Sequence, residues 1–457
     1  MQNEPIIDPR AAALLLLDCL NKSPAKTLDA LLEERANDLN VLSRKDRGLF
    51  NQLLYGVLRW RLRLDTVVSV FSSRPLNKID PTILNILRIA LFQLLFLDRI
   101  PSSAAVNTAV ELAKRQKQAK AAGFVNAILR NVLRNPGRFP VSDPRDTPVS
   151  RIAKTKSFPD WLVARWVKHI GADATEQRCD AMNEIPPITI RCNRLVNTLF
   201  DLQAALSDQV ESFEILTAVP DAANLKRPSS AFSEMKAFNE GRFAIQDGAA
   251  QLITLLLNPR PGESVLDACA GMGGKTTHIA QLMDNRGTLV ALDHSTVKLS
   301  LLEQEAKRLA VTILRTFPQT LKQPIPPEKL PQFDRILLDA PCSGLGVLRR
   351  IPDAKWSSNK RDVPHYANRQ ERFLHHLSPF VKKNGVLVYS VCSMEPEENE
   401  QVVHRFLKKH PNFAIKKDRH QEEKNLSPFL TREGFLRTDP HTHGLDGFFA
   451  ARFCRVA

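Results

Sequence analysis

The chain has 457 residues, 43% hydrophobic and 25% charged, enough for more than one buried core, so two or three domains are expected. Its 64 Lys and Arg against 49 Asp and Glu leave a formal net charge of +15, which favours a polyanionic partner over an acidic membrane surface. Seven scattered cysteines without a C-x-x-C pair speak against a zinc ribbon or a dithiol redox motif and for reduced thiols. The start, MQNEPIIDPR, has neither a basic n-region nor an apolar segment with a cleavage site, so a cytoplasmic protein is expected.

From Pro9 to about Asn135 apolar residues recur at helical spacing. TILNILRIALFQLLFL, from Thr82, is interrupted by Asn85, Arg88 and Gln93 and reads as a core helix rather than a membrane span. In GFVNAILRNVLR, Phe124, Ile128 and Val132 form one stripe and Val125, Leu129 and Leu133 the next, with Arg130 and Arg134 outside both. Residues 1–140 carry 21 Lys and Arg against 12 Asp and Glu, and six basic residues without an acid lie between Lys114 and Arg134. This predicts an all-helical domain over 1–140 with a nucleic-acid face, the plainer alternative being ordinary solvated helix surfaces. RNPGRFPVSDPRDTPVS, 134–150, has the composition of a linker. A small mixed α/β module follows over 150–240, with Trp161 and Trp166 on a helical pattern, a turn at Pro186-Pro187 and the strand-like ITIRCNRL.

From 241 to 457 short apolar strands alternate with amphipathic helices. SVLDACA, TLVALD, RILLDA and VLVYSV predict parallel strands of a doubly wound sheet, whose ligands sit at the carboxyl ends of the strands. The first runs into DACAGMGGKTTHIA, a glycine turn opening a helix. A Walker loop is disfavoured because Cys269 stands where its first glycine belongs, and a dinucleotide turn because Thr276 replaces its third glycine. S-adenosylmethionine is the remaining common ligand, with Asp293 at the end of TLVALD placed for its ribose hydroxyls. The loop alone leaves its rivals open.

In FDRILLDAPCSGLGVLRRIPDAKW, Asp339 ends a strand, Cys342 follows Pro341, and two glycines allow close approach to a ligand. Arg349, Arg350 and Lys355 add three cations suited to phosphates. Cys392 ends VLVYSV in the same relation to the sheet, so two cysteines and an aspartate are expected on one edge. A core-filler role for the cysteines is the bland reading. A pyrimidine methylated at carbon 5 needs this set, because a thiolate adding to carbon 6 makes carbon 5 nucleophilic. A thiol protease or transferase would need a histidine base, and His375, His376 and His404 lie on helical patterns without an evident orienting partner. Beyond Cys392, Pro396 is expected in the first turn of a helix, with Glu397 and Glu398 complementing its dipole.

These motifs resemble the bacterial 16S ribosomal RNA cytosine-5 methyltransferases of the Sun/Fmu (RsmB) type over nearly the whole chain. LLYGVLRWRLRLD, LRIALFQLLFLDRIP and AAGFVNAILRNVLR look like that family's NusB-like RNA-binding domain. FPDWLVARW and PPITIRCNRL resemble its pre-catalytic module. DACAGMGGKT, LLDAPCSGLG, YSVCSMEPEENE and HGLDGFFAARF are similar to its Rossmann-like catalytic domain. The resemblance implies that Cys269, Ala270, Gly271, Met272, Gly273, Gly274 and Lys275 hold the methionine part of S-adenosylmethionine, Asp293 the ribose, and Thr316 and Asp339 other parts of the cofactor site. Cys392 would be the nucleophile, Asp339 a hydrogen-bond partner of the base, and Cys342 the residue that assists product release. Arg349, Arg350 and Lys355 would grip RNA. The implied partner is 16S rRNA or a small-subunit precursor, bound by a monomer away from membranes.

Three departures stand out: Gly271-Met272 where Ala-Pro is common, Val391 where many members have threonine, and Thr316 where the family usually places an aspartate near the adenine. The last supports the competing expectation of a non-catalytic RNA-binding assembly factor. The same chemistry on another RNA, such as tRNA, is a further alternative.

Overall fold

The computed structural model describes residues 8–23, 26–116, 119–136, 145–415 and 425–456, so the middle of the expected linker, 137–144, and Lys117 of the basic stretch lie outside the described residues. The chain divides into two units. One holds the described residues up to Glu184 together with Leu348–Lys360, and the other holds Ile185–Val347 and the remainder from Arg361. The expected parts 1–140, 150–240 and 241–457 meet a different division, because the helices that open the middle module belong to the helical unit.

Within the helical unit, Pro81–Phe96 shows how an almost wholly apolar helix is accommodated. Asp80 caps it by accepting from the backbone N–H groups of Thr82 and Ile83, and Pro81 occupies the first turn, where no N–H is needed. Its polar interruptions all have partners: Arg88 donates to both oxygens of Asp65, Asn85 to Asp18, and Arg10 reaches Gln93. Buried polar groups are thus matched between helices instead of marking a surface. On Ala119–Arg134, Val125, Ile128, Leu129 and Val132 face the core, while Leu133 is exposed with Arg130 and Arg134. Among the described residues no helix is long and apolar enough to cross a membrane.

The long helix Arg44–Phe71 breaks at Trp60, whose backbone (φ −110°, ψ 17°) leaves the helical region. The break frees the carbonyls of Leu58 and Arg59 and the N–H groups of Leu62 and Arg63. The hydroxyl of Ser157 accepts from both N–H groups, at 2.9 and 3.4 Å. The inserted segment Leu348–Lys360 serves the two carbonyls: Trp356 Nε1 donates to Leu58 O at 2.6 Å and Lys355 Nζ to Arg59 O at 3.2 Å. Lys355 also reaches Asn183 Oδ1 (2.6 Å) and Ser157 O (3.4 Å) and lies over the ring of Phe158.

The second unit contains two sheets. Strands β1 (Ile188–Cys192), β2 (Val210–Ile215), β3 (Ala222–Pro228) and β4 (Phe243–Ile245) form an antiparallel sheet in the order β2-β3-β1-β4. The larger sheet comprises β5 (Ser264–Asp267), β6 (Thr288–Asp293), β7 (Leu314–Pro318), β8 (Phe333–Asp339), β9 (Val381–Val391), β10 (Phe413–Ile415), β11 (Leu436–Arg437) and β12 (Phe449–Arg455). Its order is β10-β12-β9-β8-β5-β6-β7, with β11 on β12. The strands β5 to β9 pair in parallel, as their near-continuous apolar runs require when both faces are covered, and β12 joins β9 antiparallel. From β5 the chain first builds outward through β6 and β7, then crosses to β8. The switch point therefore lies between the carboxyl ends of β5 and β8, the place where sheets of this kind bind ligands.

Candidate active site

Three acids end strands at this edge. Asp267 ends β5 fully buried; its Oδ2 accepts from the Thr276 hydroxyl at 2.7 Å and its Oδ1 makes no hydrogen bond. Burial, with Asp339 adding, pushes its carboxyl up to about 6. Asp293 ends β6 and takes one backbone N–H on each oxygen, from Gly271 at 3.0 Å and Ser295 at 2.8 Å. Asp339 ends β8 and is held from two sides, by Lys275 Nζ and by the Ser390 hydroxyl, both at 2.6 Å. Burial opposes the Lys275 charge, yet Asp339 and Cys392 outweigh it and hold the ammonium above its ordinary range. Lys275, expected at the cofactor, thus pairs with the aspartate expected at the base.

The turn after β5 needs glycine for steric reasons. Gly273 has φ +87°, and a Cβ there would come within 1.9 Å of Leu302. The helix Gly274–Leu282 starts at once, and a buried Arg191 from β1 donates to Gly274 O (2.8 Å) and Thr277 Oγ1 (3.0 Å), bracing that start. Met272 is 60% exposed at the tip, and Cys269 and Ala270 line the turn's base against the core.

Cys342 and Cys392 lie on the turns after β8 and β9 with their Sγ atoms 3.3 Å apart. The hydrogen bond with Cys392 and burial push the Cys342 thiol well above its ordinary range, and the charge of Glu398 adds to this. Two thiolates at that distance repel, so the pair retains at least one proton. Gly346 N donates to Cys392 O at 2.9 Å, and a Cβ on Gly346 would meet Gly447 O at 1.9 Å. The close approach that this glycine permits is to backbone, not to a ligand.

Several sequence expectations need correction. Lys355 is 0% exposed and its ammonium is spent on three acceptors inside the helical unit, so it offers no cation to RNA. Arg349 is 3% exposed and Arg350 half-buried; the Arg349 carbonyl accepts from Arg59. Thr316 pairs with Ala291, two residues short of the level of Asp293, and its hydroxyl donates to Glu303 on the helix Thr296–Arg308. Val391 packs in the apolar core opposite Phe449, where a hydroxyl would be buried. The helix after Cys392 spans Glu400–Lys409, so Pro396 and Glu398 precede it, and Glu398 is buried. His375 bonds His410 and His376 the carbonyl of Leu321, so both rings have partners of their own.

Sequence reasoning missed Ser343, Ser393 and Gln370 and gave Glu398 another role; the four form one hydrogen-bonded group next to the cysteines. The signal available was a Cys-Ser pair at both turns.

A parallel sheet with a central switch point, a glycine turn and an acid closing β6 define a methyltransferase fold, here combined with a helical domain and a small antiparallel sheet. Family models match accordingly: 16S rRNA methyltransferase RsmB/F over residues 254–454, the NusB family over 8–134, and the ferredoxin-like domain of RsmF/B-like methyltransferases over 158–231. The chain belongs to the RsmB/F family of 16S rRNA methyltransferases. It is 38% identical over 416 residues to the probable ribosomal RNA small subunit methyltransferase B of Bacillus subtilis, covering 90% of this chain and 91% of the relative. It is 34% identical over 448 residues to the protein so described from Synechocystis, covering 98% and 99%. Among solved structures, the crystal structure of PH0851 matches with a TM-score of 0.77 and 25% identity over 99% of this chain and 100% of that one.

Proposed function

We propose that this protein methylates carbon 5 of a cytosine in 16S rRNA through a covalent cysteine–cytosine adduct, with S-adenosylmethionine as methyl donor. The observation that carries the reading is the thiol pair, 3.3 Å apart, at the strand ends that flank the Asp339–Lys275 ion pair. The residues at the switch point fit the donor. Asp293 Oδ2 uses one lone pair on the N–H of Gly271 and keeps the other for a ribose hydroxyl, whereas Oδ1 takes the N–H of Ser295 and lies 3.2 Å from His294 Nδ1. The turn Cys269–Lys275 follows β5 at the same switch point. Bound there, S-adenosylmethionine supplies an electrophilic methyl group.

The chain's own residues do the rest. The Cys392 thiolate adds to carbon 6 of the ring, which puts electron density on carbon 5. Asp339, aimed by Lys275 and Ser390, hydrogen-bonds the ring nitrogen edge and stabilises the adduct. Once Cys392 is bonded to carbon its charge is gone, and Cys342 becomes easier to ionise. Cys342 then assists loss of the carbon 5 proton as the Cys392–carbon bond breaks and the thiolate is restored.

Bisulfite sequencing of rRNA from a deletion strain is expected to show one cytosine that has lost protection. An unchanged pattern would refute the enzyme reading in favour of an assembly factor. Cys392→Ala is expected to abolish both methylation and adduct, and Cys342→Ala to accumulate a protein–RNA adduct on a denaturing gel. An adduct formed by Cys392→Ala would reverse the two roles.

A further inference from the structure

Nothing covalent joins the turns that carry Cys342 and Cys392. A buried carboxylate does the joining. Glu398 is 0% exposed and accepts four hydrogen bonds: from Ser343 N at 3.0 Å, the Ser343 hydroxyl, the Ser393 hydroxyl at 2.7 Å, and Gln370 Nε2 at 2.9 Å. Ser343 directly follows Cys342, and Ser393 directly follows Cys392. Their hydroxyls lie 3.2 Å apart, so one carboxylate oxygen holds both. Gln370, on the helix Asp362–Leu377, reaches back to Pro341 O at 3.1 Å, and its Oε1 accepts from the buried Tyr389 hydroxyl.

A carboxylate buried without a contacting cation is costly unless every lone pair is used, and here four donors meet it. An acid that only complemented a helix terminus would sit in solvent at the first turn. We infer that Glu398 is a positioning residue for the thiol pair: by gripping the serine after each cysteine it sets the distance between Cys342 and Cys392. Burial pushes its own carboxyl up, against the hydrogen bonds of Ser343, Ser393 and Gln370. The inference deepens the paired-thiol reading above and rests on it for its meaning in catalysis.

Phenylarsine oxide tests the geometry without RNA or methyl donor. Its arsenic binds two thiols that lie close together; two As–S bonds form, and the oxygen leaves as water with the two thiol protons. The full-length protein is expected to form this chelate at Cys342 and Cys392, located by mass spectrometry and lost in either Cys→Ala control. Glu398→Ala is expected to weaken chelation by about tenfold or more, the equivalent of one lost charge-assisted hydrogen bond. Glu398→Gln is expected to restore it to within about threefold, because the carboxamide oxygen can face Ser343 N and Gln370 while its NH2 donates to the two serine oxygens. If Glu398→Ala does not fold, the double variant Ser343→Ala, Ser393→Ala keeps the carboxylate, removes both hydroxyl tethers, and is expected to weaken chelation severalfold. Wild-type affinity in Glu398→Ala or in the double variant overturns the inference, and so does a Glu398→Gln as weak as Glu398→Ala. Wild-type protein that binds arsenic at the pair but methylates no RNA would instead refute the proposed function and leave the clamp standing.

Discussion

Lys355 in the helical unit and Glu398 in the sheet unit are both fully buried ionisable side chains that hold a loop, and they are built in opposite ways. Lys355 donates to two main-chain carbonyls and one amide oxygen, and the carbonyl of Arg59 is free for it only because the helix Arg44–Phe71 breaks at Trp60. Glu398 accepts from one N–H and three side chains, of which only Ser393 is near it in sequence. A tether made to backbone depends on the shape of a whole helix. One made to side chains can be altered donor by donor. That difference says where substitutions will be catastrophic and where they will be graded.

Lys355→Met should have the largest effect. It keeps most of the volume but strands three buried acceptors, and a loss of about 3–5 kcal/mol is expected in denaturant unfolding of the full chain. A loss below about 1 kcal/mol would show that the kink satisfies its carbonyls in some other way.

Asp267 sharpens the contrast, being a buried carboxylate with a hydroxyl on one oxygen and nothing on the other. Its folded value of about 6 lies above the ordinary 3.8, so the folded chain binds the proton more tightly than the unfolded one. The stability from this group is fully present below about pH 3.8 and is lost as pH rises through about 6, a change of about 3 kcal/mol. Asp267→Asn should remove that slope from melting curves taken between these pH values, while a slope equal to that of the wild type would assign it to another group.

Gly346→Ala tests the second link between the cysteine turns, where backbone meets backbone. With Gly447 O 1.9 Å and Cys392 O 3.0 Å from the added Cβ, the turn after β8 must move away from the segment before β12 and from the turn after β9, at a cost of about 1–3 kcal/mol. Methylation should fall more than stability does, and equal losses would mean that the turn spacing is not what matters. Thr316→Ala should do least: removal of an exposed hydroxyl–carboxylate contact changes stability by under about 0.5 kcal/mol. Titration with S-adenosylhomocysteine should give wild-type affinity, and a tenfold loss would return Thr316 to the cofactor site.

The parallel strands, the glycine turn and the meeting of two cysteines and Asp339 at one edge were legible because each rests on a local pattern: an apolar run, a turn residue, the residue just after a strand. Lys355 was misread because three cations beside a cysteine motif look like a phosphate grip. No local pattern announces that a segment leaves one unit to complete another. Glu398 was misread for a related reason, since an acid near a proline and a helix start has an adequate surface explanation until the serines of two distant turns close over it. The level of Thr316 relative to Asp293 was not legible, because it depends on how β7 pairs with β6.

The insertion of Leu348–Lys360 in the helical unit has a consequence for biosynthesis. Until translation passes residue 360, the carbonyls of Leu58 and Arg59 lack Trp356 and Lys355 as donors, and the backbone N–H of Leu28 lacks the carboxylate of Asp353. The first unit to emerge from the ribosome is therefore completed only after most of the second has been made. Expressed alone, residues 1–184 would form a domain with its last piece missing.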